Sequence, residues 1–174
     1  MDTLFGLPAH PLLVHIPIVL LPLSAIGVIA MLIKQTWHRR YRWVVLGMGI
    51  AGALGATLAA QAGEELANRV EAVEGRESAA RWHHHAELGD TARNVALVFA
   101  IALAVFVLLP WWHERRTRVE DSDSTEPSRQ RRVVTLVVSA VVVLAAAGTV
   151  VTIVQAGHTG SKSVWEAYVR DTGG

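Results

Sequence analysis

The sequence predicts an all-α integral membrane protein, a four-helix bundle built from two tandem helical hairpins. Four apolar blocks, at residues 11–33, 43–62, 94–112 and 133–155, are each close to the length of about 20 residues that a helix needs to cross a bilayer. None of the blocks carries a polar stripe along its centre, as a helix on the surface of a soluble protein would. Basic residues gather in the segments that join the first block to the second and the third to the fourth.

The basic residues also predict the topology. These two connecting segments hold ten of the sixteen lysines and arginines, and such residues near helix ends stay in the cytoplasm. The termini and the 63–93 loop, with ten of the fifteen acidic residues, are then outside. We therefore expect one transmembrane domain over residues 1–174, N-out and C-out, with a flexible cytoplasmic loop at 113–132 and an outer tail at 156–174.

Composition excludes several kinds of site. The chain has no cysteine, which excludes disulfides, thiolate metal sites and covalent haem attachment. The formal charge of +1 gives no indication of a nucleic-acid partner. No hydrolytic or transferase motif is visible, so whether the protein is an enzyme stays open, and electron transfer is the most that the sequence suggests.

The first apolar block opens with His10-Pro11-Leu12-Leu13-Val14-His15-Ile16-Pro17. Pro11 suits the first turn of a helix, where its missing N–H is no loss. On an unbroken helix, His10 and His15 point about 140° apart, so both face the bundle only if the helix breaks between them. His15 lies inside the regular segment and is the ligand expected from this helix.

The second block is rich in small residues. Gly55, Ala59 and Gly63 recur every four positions, which allows either close packing of another helix or space for a flat cofactor. The polar residues after Gly63 keep a helical pattern, and Gly75 is the expected break.

The third and fourth blocks contribute further histidines. The segment Trp82-His83-His84-His85 leads into the third block, and His85, nearest to it, is the favoured ligand of the three. The second and fourth blocks end in Gln61-Ala62-Gly63-Glu64 and Gln155-Ala156-Gly157-His158. The shared Gln-Ala-Gly suggests an internal repeat in which Glu64 and His158 hold matching positions.

Six of the eight histidines are thereby expected on the outer side, in a layer with Glu64. Two facing histidines suit haem iron, three histidines with a carboxylate suit zinc, copper or iron, and such a set also suits proton transfer or a quinone-like ligand. The alternative is that His10, His83 and His84 are simply solvated. His38 and His113, beside basic residues, are expected to be solvated on the inner side.

Three short motifs resemble an uncharacterised family of bacterial membrane proteins, domain of unknown function 2231. They are His10-Pro11…Val14-His15-Ile16-Pro17, a histidine before Leu88-Gly89, and Gly157-His158-Thr159-Gly160. Some members resemble fusions to Rieske iron–sulfur domains, so the resemblance implies a redox setting, haem as cofactor and a bacterial plasma membrane.

The leading hypothesis is a b-type-cytochrome-like electron-transfer protein at the outer face. Its haem b would be ligated by His15 and either His85 or His158, with Gly55 making room for the porphyrin. The rival is a zinc, copper or iron site formed by His10, His15, Glu64, His85 and His158. A third hypothesis is a structural subunit of a membrane complex. The expected partners are the lipid bilayer and an outer-face redox partner or membrane complex; the oligomeric state is open.

Overall fold

The structure, a computed structural model, describes residues 3–4, 6–74, 76–117 and 129–171. Its elements are a small hairpin, a short helix and four long helices. They are β1 (Thr3–Leu4), β2 (Leu7–Pro8), α1 (Ala9–Leu13), α2 (His15–Ile33), α3 (Gln35–Glu74), α4 (Arg76–Thr117) and α5 (Arg129–Asp171). The centre of the predicted 113–132 loop, residues 118–128, lies outside the described residues.

Four helical segments are long and apolar enough to cross a membrane, which confirms the predicted fold class. They are Ala9–Ile33, Gln35–Val73, Trp82–Trp112 and Arg129–Lys162. Large apolar side chains cover the outside of this bundle: Ile26, Ile101 and Leu144 are 65%, 66% and 72% exposed. A surface of this kind belongs against lipid, because in water it would be a large exposed apolar patch.

The helices α3, α4 and α5 are much longer than the predicted spans. They contain 40, 42 and 43 residues, which corresponds to about 60 Å of helix each, against about 30 Å of hydrocarbon. The described part of the expected 63–93 loop is therefore helical, in α3 as far as Glu74 and in α4 from Arg76. The break predicted at Gly75 lies outside the described residues. Residues 156–171 of the expected tail continue α5, because no proline or other strong breaker interrupts the helix there.

Each long helix packs against its sequence neighbours, and α5 closes the ring against α2. The connections are as short as Lys34 between α2 and α3, so neighbouring helices run antiparallel. The starts of α1 and α4 and the ends of α3 and α5 thus meet at one end of the bundle, called here the histidine end. The other end, with Lys34 and the start of α5 at Arg129, is called the arginine end.

The N-terminal segment places His10 and His15 on different helices. The antiparallel β1–β2 pair turns through Gly6, whose φ of 81° is accessible to glycine. The helix then breaks at Val14, between α1 and α2. Pro17 gives the reason, since its missing N–H leaves the carbonyl of Leu13 without the usual helical partner.

A buried apolar core fills the bundle between the four long helices. Its largest fully buried side chains are Leu21, Val28, Met31, Phe99, Leu103, Val107 and Val142. The face of α3 toward α2 carries glycines, which let the two helices approach closely. A methyl group at Gly52 would lie 2.6 Å from Leu21 Cγ, and one at Gly55 would lie 2.5 Å from Ile16 Cγ2.

This close packing corrects the expectation that Gly55 makes room for a porphyrin. Ile16 and Pro17 already occupy the space beside Gly55. A second correction concerns His38, which was expected to be solvated. Its side chain is 5% exposed and lies edge-on to the Phe106 ring, with ring centres 5.3 Å apart. The side chain of His113 lies outside the described residues.

Candidate histidine site

Two histidines from different halves of the sequence meet at the histidine end. The ring centres of His10, on α1, and His85, on α4, are 6.0 Å apart, with their planes at 83°. Both side chains are half-buried. This pair is the centre of the candidate site.

His10 is held by the end of α3. Its Nδ1 lies 2.7 Å from the carbonyl oxygen of Ala59. The ring also lies against Gly63, where a methyl group would be 2.9 Å from His10 Nδ1. Ala59 and Gly63 are one helical turn apart on the same face of α3. The carbonyl of Ala59 and the space left by the absent side chain of Gly63 together hold the imidazole, and this pair is called here its seat.

His85 is held by the end of α5 in the same manner. It makes a backbone hydrogen bond with Ala156, and its Nδ1 lies 3.4 Å from Thr159 Oγ1. A methyl group at Gly160 would lie 2.8 Å from His85 Cε1. Ala156 and Gly160 are again one turn apart. Each histidine therefore rests on an alanine and on the glycine four residues later, on α3 for His10 and on α5 for His85.

The contacts of these seats determine which residues of the two hairpins are equivalent in the internal repeat. The predicted repeat aligned Gln61-Ala62-Gly63 with Gln155-Ala156-Gly157, which would match Glu64 to His158. By their contacts, the equivalent pairs are instead Ala59 with Ala156 and Gly63 with Gly160. The three-residue match was misleading, because equivalence in a bundle follows helix packing.

The hydrogen bond to Ala59 fixes the tautomer of the neutral His10 imidazole. A carbonyl oxygen only accepts, so His10 Nδ1 must donate to Ala59. Nε2 of His10 therefore carries the lone pair, which is the form in which an imidazole binds a metal. In the contact of His85 Nδ1 with the Thr159 hydroxyl, 3.4 Å apart, either group can donate, so this contact is compatible with both tautomers of His85.

Both imidazoles line a cavity of about 450 Å³ between the polar ends of α3 and α4. Half of the described lining residues are small or apolar, namely Ala60, Gly63, Leu66, Ala67, Val70, Trp82, Ala86 and Gly89, and the other half are polar, namely His10, Glu64, Asn68, His83, His85, Glu87, Asp90 and Arg93. A methyl group at Gly89 would have no atom within 4 Å, so open space begins at this residue. Cavities of this size take small organic ligands or cofactors.

The rim of the cavity is acidic. Glu64, Glu87 and Asp90 line it, and the basic side chain among its described lining residues is Arg93. Arg93 lies 3.0 Å from the Asp90 carboxylate, and Glu87 lies 3.4 Å from His83 Nδ1. Because Glu87 and Asp90 are more than half exposed, they act mainly on what enters the cavity, and they repel anions.

The predicted site residues do not all come together. His85 faces the bundle, while His83 and His84 are exposed. This is the orientation that a ligand role for His85 requires. Glu64 lines the cavity with His10 and His85. His158 is exposed, on another face of α5 from Gly160. Among the residues that the structure describes, no group of three or more His, Asp or Glu side chains is placed to hold a metal ion, so the rival ligand set is not assembled.

Of His10 and His15, His15 was expected to be the ligand, but the structure orients His10 toward the bundle. His15 is exposed at the start of α2, while His10 faces the bundle. The angle of about 140° applied to an unbroken helix, whereas the helix breaks at Val14, so it does not describe the relation between these two side chains. A usable signal was present in the sequence, because Gly63 and Gly160 follow the apolar blocks of two helices at the same end of the bundle as the histidines.

Comparisons with known proteins agree with the membrane assignment. A family model described as "Predicted membrane protein (DUF2231)" matches residues 6–173, nearly the whole chain. No curated protein and no solved structure matches the chain significantly.

Proposed function

The chain belongs to the DUF2231 family of predicted membrane proteins, and we propose that it is a redox protein of the bacterial plasma membrane that holds haem b at its outer face. The proposed ligands are His10 and His85, in place of the pair that includes His15. The observation that carries the proposal is that the two imidazoles, each held at Nδ1 by a helix packed against its own, lie with ring centres 6.0 Å apart.

The spacing of the rings supports one iron between them. Metal–imidazole bonds are about 2 Å long, so two imidazoles that both bound one iron would have ring centres up to about 6 Å apart. The centres of His10 and His85 are 6.0 Å apart. The neighbouring cavity supplies space that Gly55 does not.

When bound, haem supplies reversible one-electron chemistry. The chain's own contribution is to orient the two rings through Ala59, Ala156 and Thr159, and to bury one side of each imidazole. A site at one end of the bundle serves exchange with a partner on that side. It does not by itself carry electrons across about 30 Å of hydrocarbon.

Purified protein in detergent tests the proposal by its visible spectrum. We expect a Soret band that shifts on reduction and is lost in His10→Ala and in His85→Ala. The matched controls are His15→Ala and His84→Ala, which change exposed neighbours and should keep the band. Circular dichroism should show the same helix content in all four variants.

Three results would contradict the proposal that His10 and His85 hold haem. Loss of the band in His15→Ala with retention in His10→Ala would restore the pair expected from sequence. Colourless protein with stoichiometric zinc, copper or iron would favour the rival metal site. Colourless, metal-free protein would leave the structural subunit, in which the histidines serve assembly.

A further inference from the structure

One face of α3 is exposed over about six helical turns. Its residues recur at intervals of three and four positions and are all exposed; they are Trp37, Arg40, Val44, Gly47, Ala51, Leu54 and Leu58. This stripe is called here the α3 lipid face. It begins with an aromatic ring and a cation at the arginine end, and it continues with apolar side chains toward the histidine end.

Two cations at the start of this face rest on aromatic rings. Lys34 Nζ lies 5.4 Å from the centre of the Trp37 ring, and the guanidinium carbon of Arg40 lies 5.7 Å from the centre of the Tyr41 ring. Trp37 and Tyr41 are one helical turn apart on α3. Because tryptophan and tyrosine rings lie at the level of the lipid headgroups, both cations are placed at that level too.

No carboxylate among the side chains that the structure describes is paired with Lys34 or Arg40. Their contacts are with the two aromatic rings, and the sequence has no acidic residue between Asp2 and Glu64. A ring face attracts a cation without cancelling its charge. The ammonium and the guanidinium therefore keep N–H donors for an anion, and phosphate oxygens are strong acceptors for such donors.

Below these cations, the α3 lipid face has a shallow groove. A methyl group at Gly47 would have no atom within 4 Å, and Ala51, one turn further, is also small. The larger side chains of Val44 and Leu54, 59% and 58% exposed, border this stretch. From Arg40 to Ala51 the helix rises about 16 Å, which is about half of the 30 Å of hydrocarbon and so corresponds to one leaflet.

We propose that Lys34 and Arg40 bind the phosphate of an anionic phospholipid, and that one of its acyl chains lies in the groove at Gly47. Charge complementarity selects the headgroup, because a zwitterionic lipid brings its own cation toward Lys34 and Arg40. The groove selects a lipid over a soluble anion, because only a lipid contacts both the cations and the apolar stripe that continues from them.

The headgroup contact is tested by Lys34→Gln/Arg40→Gln, which removes both cations and keeps polar side chains. Arg129→Gln/Arg131→Gln is the matched control, because it removes two exposed cations from the same end of the bundle, on α5. A difference between the two variants therefore reports the position of the charges and not their number.

The acyl-chain contact is tested by Gly47→Leu, which fills the groove without a clash within the protein. Gly157→Leu is its control, because Gly157 is also helical and exposed with open space beside it, but lies at the histidine end. Leucine favours helix over glycine, so both variants should fold.

The measurement is native mass spectrometry of the full chain in detergent, titrated with dioleoyl phosphatidylglycerol or with dioleoyl phosphatidylcholine. We expect tighter binding of the phosphatidylglycerol. A cation near the headgroups contributes about fivefold in affinity, so Lys34→Gln/Arg40→Gln should weaken binding by about tenfold or more. Gly47→Leu should weaken it several-fold, and both controls should leave it unchanged.

Equal affinity for the two lipids, or an equal loss in Arg129→Gln/Arg131→Gln, would overturn the inference, because binding would then not depend on this site. Unchanged affinity in Gly47→Leu would overturn the placement of the acyl chain. Millimolar inorganic phosphate should not displace the lipid; displacement would assign Lys34 and Arg40 to a soluble anion. Circular dichroism should show the same helix content in all variants.

Discussion

His10 and His85 lie with ring centres 6.0 Å apart at one end of the bundle, although their helices, α1 and α4, are separated in the sequence by α2 and α3. What joins them is a pair of equivalent seats, on α3 for His10 and on α5 for His85. The two hairpins therefore repeat the same packing arrangement, and each hairpin contributes one imidazole to the site.

The glycine seats should be intolerant of even one methyl group. In Gly63→Ala the new carbon would lie 2.9 Å from His10 Nδ1, and in Gly160→Ala it would lie 2.8 Å from His85 Cε1. We expect each ring to be displaced and the haem content per protein to fall several-fold, measured by the Soret absorbance. Gly157→Ala, with open space beside it, should keep full haem content. Equal loss in all three would mean that the seats have no special role.

Thr159→Val tests the orientation of His85. The substitution keeps the shape of the side chain and removes the hydroxyl that lies 3.4 Å from His85 Nδ1. Groups that orient metal-binding histidines typically contribute about 10- to 100-fold in affinity. We expect haem to dissociate faster by a factor in that range, measured by transfer to apomyoglobin. Thr152→Val removes a hydroxyl that bonds only within α5 and should change little.

The contact between α2 and α3 should be sensitive at Gly52. A methyl group there would lie 2.6 Å from Leu21 Cγ, in the buried core. Overpacking of this kind costs about 1–3 kcal/mol, so Gly52→Ala should lower the thermal midpoint in detergent. Gly47→Ala, exposed and with open space beside it, should be neutral or stabilising by up to about 1 kcal/mol. The opposite order would contradict the assigned helix faces.

A buried hydroxyl also links α2 to α3. Ser24 is fully buried and donates to the carbonyl of Val45 across 3.0 Å. Interhelical hydrogen bonds in membrane proteins contribute about 0.6 kcal/mol on average and up to about 1.7. Ser24→Ala should destabilise by an amount in this range, measured by unfolding in mixed micelles. Thr135→Ala, which removes an exposed bond within α5, should cost less.

The membrane-spanning segments and the preference for His85 over His83 and His84 could be predicted from the sequence. Apolar length alone identifies a crossing helix, since the bilayer imposes the same requirement on every chain. His85 was preferred over His83 and His84 for its position relative to the third block, and it is the one that faces the bundle. The helical pattern after Gly63 was predicted, but the extent of α4 and α5 was underestimated, because polar residues beyond a membrane end a span without ending a helix.

The sequence by itself determined the four-helix membrane architecture and placed most histidines near shared helix ends. Only the tertiary structure decided that His10 turns inward and His15 outward. It also decided that Gly63 and Gly160 receive the imidazoles, while Gly55 receives Ile16. The physical reason is that hydropathy depends on the residues of one segment, whereas the facing of a side chain depends on the neighbouring helix. Packing against α3 determines the direction in which the His10 side chain faces, and packing against α5 determines it for His85.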